Sequence, residues 1–423
     1  MSRARAVVLV TGSELVRGGR VDENGPFLAR ELSTRGIEPE RVVVVGDRPD
    51  ALEQAFRDAL AADLVVTSGG LGPTHDDRTV ETLARVAGRD LVVDPSLEDE
   101  IGVVVRGLSE RFRRPYEELA PGVRKQATVP DGASSLGLAG TAPGLVLELE
   151  ETLVVVLPGP PMELQRLWSR ALGTEPVRRL LATASHPEHR ILRFFGLPES
   201  AVARVVEAAG GEGEGVEVTI CAHDLEVQVD LVVDPGGEPH GNRLRAALEQ
   251  ALPQALFAED ERPVEAIVLD LARELGVTVA AAESCTGGLV GARLTSIAGA
   301  SDAFVGGVVA YDNRLKRELL GLSEELLDSH GAVSAEAAAA MAEGAIASLG
   351  SDIAVSVTGV AGPGGGSAEK PVGLVYLHAA GPGTELAVEL HLPGNRDAVR
   401  RRAAASALHL LRRLLAQTRH TRR

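Results

Sequence analysis

Strand-like apolar runs in this chain end abruptly, again and again, in glycine-rich or polar loops. Near the start these runs are Ala6 to Val10, Val42 to Val45 and Asp63 to Thr67, with helical patterns over 24–35, 49–61 and 80–87. Near the end they are Val277 to Ala282, Phe304 to Ala310 and Ile353 to Val357. Such alternation predicts α/β architecture with a doubly wound sheet at the N-terminus. Right-handed crossovers between parallel strands then place the loops of each set on one sheet edge, where open α/β sheets bind ligands.

A chain of 423 residues is too long for one core, since single cores stop growing near ~250–300 residues. The pattern divides it into a doubly wound α/β domain over 1–172, a small α+β connector over 173–257 and a second α/β domain over 258–423. In the connector, Arg190 to Phe195 and Val216 to Ile220 read as strands and Glu199 to Ala209 as a helix, with no visible chemistry. The longest apolar runs fall far short of the roughly 18–20 residues of a membrane span. The basic start Ser2-Arg3-Ala4-Arg5 lacks the apolar stretch of a signal peptide, so a cytoplasmic protein without a membrane partner is expected. A net charge of −17 argues against direct nucleic-acid binding, which needs a concentrated basic surface; small anionic ligands stay open. Cys221 and Cys285 are too few for a disulfide framework and stand in no paired metal-ligand spacing.

Chemistry concentrates at the C-terminal loops. Glu283-Ser284-Cys285-Thr286-Gly287-Gly288 ends one strand and opens a helix. A serine hydroxyl can project from such a turn while Gly287 and Gly288 leave N–H groups for an anion or oxyanion. Ser284 is the preferred nucleophile and Cys285 its rival, with helix capping by Ser284 or Thr286 the structural alternative. Only Lys125, Lys316 and Lys370 among 43 basic residues are lysine; where arginine is the default, a lysine can mark a need for a deprotonatable amine. Lys316 follows Tyr311 in the second loop and could act as base if burial lowers its pKa. The third loop, with Thr358, Gly359, Gly362 and Gly364, suits close approach to a phosphate, and Arg396 at the start of the last helix could clamp one.

At the other end, Gly69, Gly70 and Gly72 admit a pyrophosphate near the backbone and Thr74 could add a hydroxyl donor. Asp76 and Asp77, with Glu14 from the first loop, could hold a divalent ion; alternatively one aspartate only caps the next helix. Gly140 to Gly144 and Leu157 to Pro161 would complete a shallow pocket.

Taken together, the motifs resemble a known family. Ala282 to Gly288, Tyr311 with Lys316, His330 to Ser334, Gly359 to Gly366, Lys370 to Gly373 and Pro393 to Asp397 are similar to the C-terminal domain of CinA proteins, the nicotinamide mononucleotide deamidases. The resemblance implies hydrolysis of that nucleotide's amide to nicotinate mononucleotide and ammonia without a cofactor. It places Ser284 as nucleophile, Lys316 as base, Tyr311 in support, and Thr286, Gly287, Gly288, the glycine loop and Arg396 at the substrate. The N-terminal motifs resemble the other half of CinA proteins, of the molybdopterin-binding MoaB and MogA type. That half implies an ADP-ribose pyrophosphatase using magnesium, cobalt or manganese. Ser13 stands where threonine is usual, and Val123 where asparagine is common. A homodimer is expected. The competing reading is a molybdopterin- or nucleotide-binding module acting through partners in competence or DNA repair.

Overall fold

The computed structural model describes residues 3–113, 115–184 and 186–421, which form two compact units, 1–187 and 188–423. In the first, six strands follow the spatial order Glu38–Val45, Arg5–Thr11, Leu64–Ser68, Leu153–Leu157, Pro143–Glu148, Ser134–Leu138. The first four are mutually parallel; Pro143–Glu148 runs against them, and Ser134–Leu138 pairs antiparallel with it. The central strands are buried on both faces, as their uninterrupted Val and Leu runs require. One face packs under Leu28, Leu32, Leu164 and Trp168, the other under Leu52, Phe56, Leu83 and Ile101, so the sheet is doubly wound. The helix Glu175–Ala182, read from sequence as part of the connector, seats Val177 in the first of these cores.

The second unit holds two sheets. The smaller is antiparallel, ordered Val216–His223, Glu226–Val233, Glu188–Phe195, Leu256–Ala258. Helices Glu199–Ala208 and Glu238–Ala251 bury Val202, Leu244 and Leu248 against it. The larger sheet runs Phe304–Val309, Val279–Glu283, Ile353–Gly359, Leu374–Gly381, Thr384–His391. Its first three strands are parallel, and Glu283 is in register with both Val309 and Val357. The loops after those strands therefore leave from one edge, as expected from the sequence. The last helix, Arg396–Thr421, covers one face through Val399, Ala403, Leu408 and Leu411. Among the described residues, no helix is long and apolar enough to cross a membrane.

Candidate functional site

The C-terminal site is assembled where the three parallel strands end. Ser284 takes its place there because its N–H donates to the Val357 carbonyl at 2.9 Å, while the Ala310 N–H donates to the Glu283 carbonyl at 2.8 Å. These bonds set the Ser284 turn beside Tyr311, two residues past the neighbouring strand. Lys316, on the helix Asn313–Leu320, reaches back so that Nζ donates to the Tyr311 carbonyl at 3.3 Å. The lysine is only 2% exposed. Burial lowers its pKa, against the opposing pull of nearby Asp312 and Cys285. Ser284 is 9% exposed, and Cys285, the next residue of its turn, lies near enough to act on the lysine's charge. Cys285 fares differently: burial pushes its thiol up to about 12, which keeps it protonated and removes the thiolate a cysteine nucleophile needs.

Glu283 shapes the turn. Its carboxylate is buried and accepts from the backbone N–H groups of Gly288, Val290 and Gly291 at 2.9, 3.1 and 2.8 Å. The protein thus supplies its own anion at the start of the helix Leu289–Thr295. The sequence predicts N–H groups of Gly287 and Gly288 free for a ligand; instead Gly288 donates to Glu283 and Gly287 to the Ser284 carbonyl at 3.1 Å. Both glycines are needed for backbone shape, at φ 61° and 97°. Thr286 is fully buried, with its hydroxyl unpartnered.

Two arginines from the last helix join the loops. Arg396 donates from Nη1 to the Gly362 carbonyl and from Nη2 to the Tyr311 hydroxyl, each at 2.7 Å. One turn later Arg400 donates to the Thr286 carbonyl at 2.8 Å. Arg396, expected as a free phosphate clamp, is therefore also a brace between the second and third loops, with guanidinium donors to spare. In the glycine loop the predicted positions divide. A Cβ on Gly359 would lie 2.6 Å from the Leu374 carbonyl oxygen, so that glycine serves strand packing; Gly364 faces open space. Thr358 donates its hydroxyl to the Ala332 carbonyl at 2.6 Å, and Lys370 Nζ to that of His330 at 2.7 Å. The His330 to Ser334 motif is thereby explained as the brace of the loop.

The N-terminal unit has a cavity of about 310 Å³ at the ends of its parallel strands. Glu14, Gly69, Gly70, Gly72, Asp76 and Asp77 line it, as expected, joined by Thr141 and Gly159. Thr74 does not line it: its hydroxyl is turned to the carboxylates of Asp76 and Asp77. Asp47 and Glu163, which the sequence reading did not single out, add two more carboxylates, and burial raises the pKa of Glu163. Among the described residues, no three His, Cys, Asp or Glu side chains are grouped to hold a metal ion. The expected set of Glu14, Asp76 and Asp77 shares a cavity without forming a ligand cluster, since the two aspartates close on Thr74 and Glu14 folds over Gly12. Val123 is core, and the polar link from its helix to the glycine loop comes from Gln126, which donates to the Leu71 carbonyl at 2.9 Å. Asn24, at the start of the helix Asn24–Ser33, donates to Ser68 and to the Gly159 carbonyl, while Asp22 accepts from the N–H groups of Asn24 and Gly25.

An N-terminal doubly wound domain with a glycine-loop cavity and a C-terminal α/β domain with a serine turn over a buried lysine define a two-domain class. Residues 7–177 match the family model described as a probable molybdopterin binding domain, and residues 261–415 match the CinA C-terminal domain. A CinA-like protein of Mycobacterium sp. (strain JLS) is 43% identical over 419 residues, covering 97% of this chain and 99% of the relative. A CinA-like protein of Mycolicibacterium gilvum (strain PYR-GCK) is 44% identical over 420 residues, with the same coverage. The crystal structure of a competence/damage inducible protein from Agrobacterium tumefaciens is 41% identical, covers 37% of this chain and 99% of its own, and gives a TM-score of 0.35. The chain belongs to the CinA-like family.

Proposed function

We propose that the C-terminal domain is an amidohydrolase that converts nicotinamide mononucleotide to nicotinate mononucleotide and ammonia, working in the cytoplasm. The observation that carries this reading is a buried lysine amine, with its pKa lowered by burial, beside the Ser284 turn. Neutral Lys316 takes the Ser284 proton as Oγ attacks the amide carbon. The C–N bond then breaks, the ammonium returns that proton to the leaving nitrogen, and ammonia departs, leaving an ester on Ser284. Water, deprotonated by the same amine, attacks the ester, the ammonium returns that proton to the departing Ser284 Oγ, and the acid set free loses its own proton to solvent as the carboxylate.

Tyr311 supports the attack. Its hydroxyl accepts from Arg396 and keeps its own proton, made a stronger donor by the cation, for the developing oxyanion. The remaining donors of Arg396 and the open turn at Gly364 suit the nucleotide phosphate. The test is ammonia release from nicotinamide mononucleotide, with Ser284→Ala and Lys316→Ala as controls; turnover at the wild-type rate in both variants defeats the reading.

For the N-terminal cavity we propose a nucleotide-sized polar ligand lying against the backbone of the Gly69 to Gly72 loop. ADP-ribose hydrolysis with a divalent ion is the activity its motifs resemble. Glu14, Asp76 and Asp77 do not fit that ion as they are placed, so no step is routed through it. Incubation with ADP-ribose, with and without magnesium, checks this: AMP formed only with the ion, and less in Asp77→Ala, favours the activity. Ligand retained without product favours a binding module.

A further inference from the structure

The turn joining Val216–His223 to Glu226–Val233 in the small sheet is strained in an informative way. Asp224 and Leu225 both have left-handed backbone, at φ 46° and 72°. Two-residue hairpins demand this conformation, and Asn-Gly or Asp-Gly normally supply it. A leucine there persists only where its surroundings over-determine it. Leu225 packs against the core of the large sheet, and Asp224 accepts from Arg401 at 3.0 Å. Glu226 accepts from Arg193 at 2.8 Å and from His409 Nε2 at 2.9 Å. His409 is itself stacked on Phe195 and meets Phe257 edge-on.

The hairpin's contacts lead to the serine turn. Arg293 Nη2 lies 3.9 Å from the Glu226 carboxylate and 2.8 Å from that of Glu265. Arg293 belongs to the helix Leu289–Thr295, whose first turn Glu283 ties to Ser284. Arg401 follows Arg400, which holds the Thr286 carbonyl. A cavity of about 420 Å³, bordered by Glu226, Leu289, Arg293 and Ala404, lies between hairpin and helices. Val290 and Leu294 anchor the short helix in the core on its other side, while the cavity side carries the charged contacts of Arg293 with Glu265 and Glu226.

We propose that the 223–226 hairpin is a positioning device for the Ser284 turn, with Glu226 its positioning residue acting through Arg293. Its effect on rate rests on the amidohydrolase reading; its effect on the turn does not. Full-length Glu226→Gln and Leu225→Gly test it, the second because glycine relieves the backbone strain while removing the docked side chain. Hydrogen exchange at the amides of Gly288, Val290 and Gly291 is expected to quicken about tenfold in both variants, the scale of a moderate coupling. The kcat for ammonia release is expected to fall by roughly the same factor, with KM within about twofold, and Glu226→Asp to recover part of the loss. Unchanged exchange at those amides in both variants overturns the proposal. Wild-type protein that releases no ammonia overturns the amidohydrolase reading alone, and exchange then decides the positioning role by itself.

Discussion

Replacing Lys316 with methionine separates what the buried amine costs from what it does. Among the described residues its Nζ hydrogen-bonds the Tyr311 carbonyl, at 3.3 Å, although the side chain is almost wholly buried. Leaving the rest of a buried polar group without partners costs ~1–3 kcal/mol, and the hydrogen bond given up is worth ~1 kcal/mol. Methionine nearly matches the volume and adapts its shape to the gap. Tyr311 is 58% exposed, so water can take over its carbonyl. The balance is a gain of up to about 2 kcal/mol, or up to roughly 8 °C in the unfolding transition of a domain this size. Burial lowers the amine's pKa from its ordinary value of 10.5, so below that value the unfolded chain binds more protons than the folded one, and wild-type stability rises with pH. The advantage of Lys316→Met is therefore largest at low pH and shrinks as pH climbs towards 10.5. Calorimetry across that range, paired with an ammonia assay, measures both sides. A variant that melts below wild type, whose advantage grows with pH, or that turns over normally refutes the reasoning.

Other substitutions reach other links. Glu283→Gln keeps one carbonyl oxygen for three N–H donors, leaving at least one facing an amide NH₂; a loss of ~1–3 kcal/mol and a drop in kcat are expected, and equal melting and turnover would contradict the capping role. Tyr311→Phe removes the proposed oxyanion donor and should lower kcat about a hundredfold with the melting temperature unchanged; a loss confined to KM would assign the residue to binding instead. Cys285→Ala should retain ammonia release, and the wild-type thiol should resist iodoacetamide at neutral pH, because burial keeps it protonated up to about 12; inactivation by the alanine would restore the cysteine as nucleophile. Gly359→Ala forces a Cβ to within 2.6 Å of the Leu374 carbonyl oxygen and should cost ~1–3 kcal/mol in a denaturant titration; a neutral effect would show that the two strands can part there.

Much of this architecture could be read in one dimension because parallel strands buried on both faces leave continuous apolar runs, and a loop after each run is easy to see. The common edge for Ser284, Tyr311 and the glycine loop followed from handedness alone. What escaped were partners fixed by long-range contacts. Arg400 looks like any surface arginine until the last helix folds over the Thr286 carbonyl. Glu283 does carry a signal, a carboxylate ending a strand just before glycines and a helix start, but in one dimension nothing tells a carboxylate that caps a helix from one that reacts. In the connector, Glu226–Val233 alternates buried and half-buried residues along its length, yet Asp224 and Leu225 are not residues that announce a tight turn, so the hairpin was missed. Nor does the sequence show where the acidic side chains point: a threonine hydroxyl draws Asp76 and Asp77 to itself, and Glu14 lies over Gly12.

The central claim, that Ser284 is made nucleophilic by Lys316, is tested most directly by trapping the acyl-enzyme. Rapid acid quench during turnover of nicotinamide mononucleotide, followed by peptide mass spectrometry, should find the nicotinate mononucleotide ester on Ser284. The adduct should be absent from Ser284→Ala and strongly reduced in Lys316→Met. An adduct on Cys285, or full turnover by Ser284→Ala with no adduct on any residue, would contradict the account.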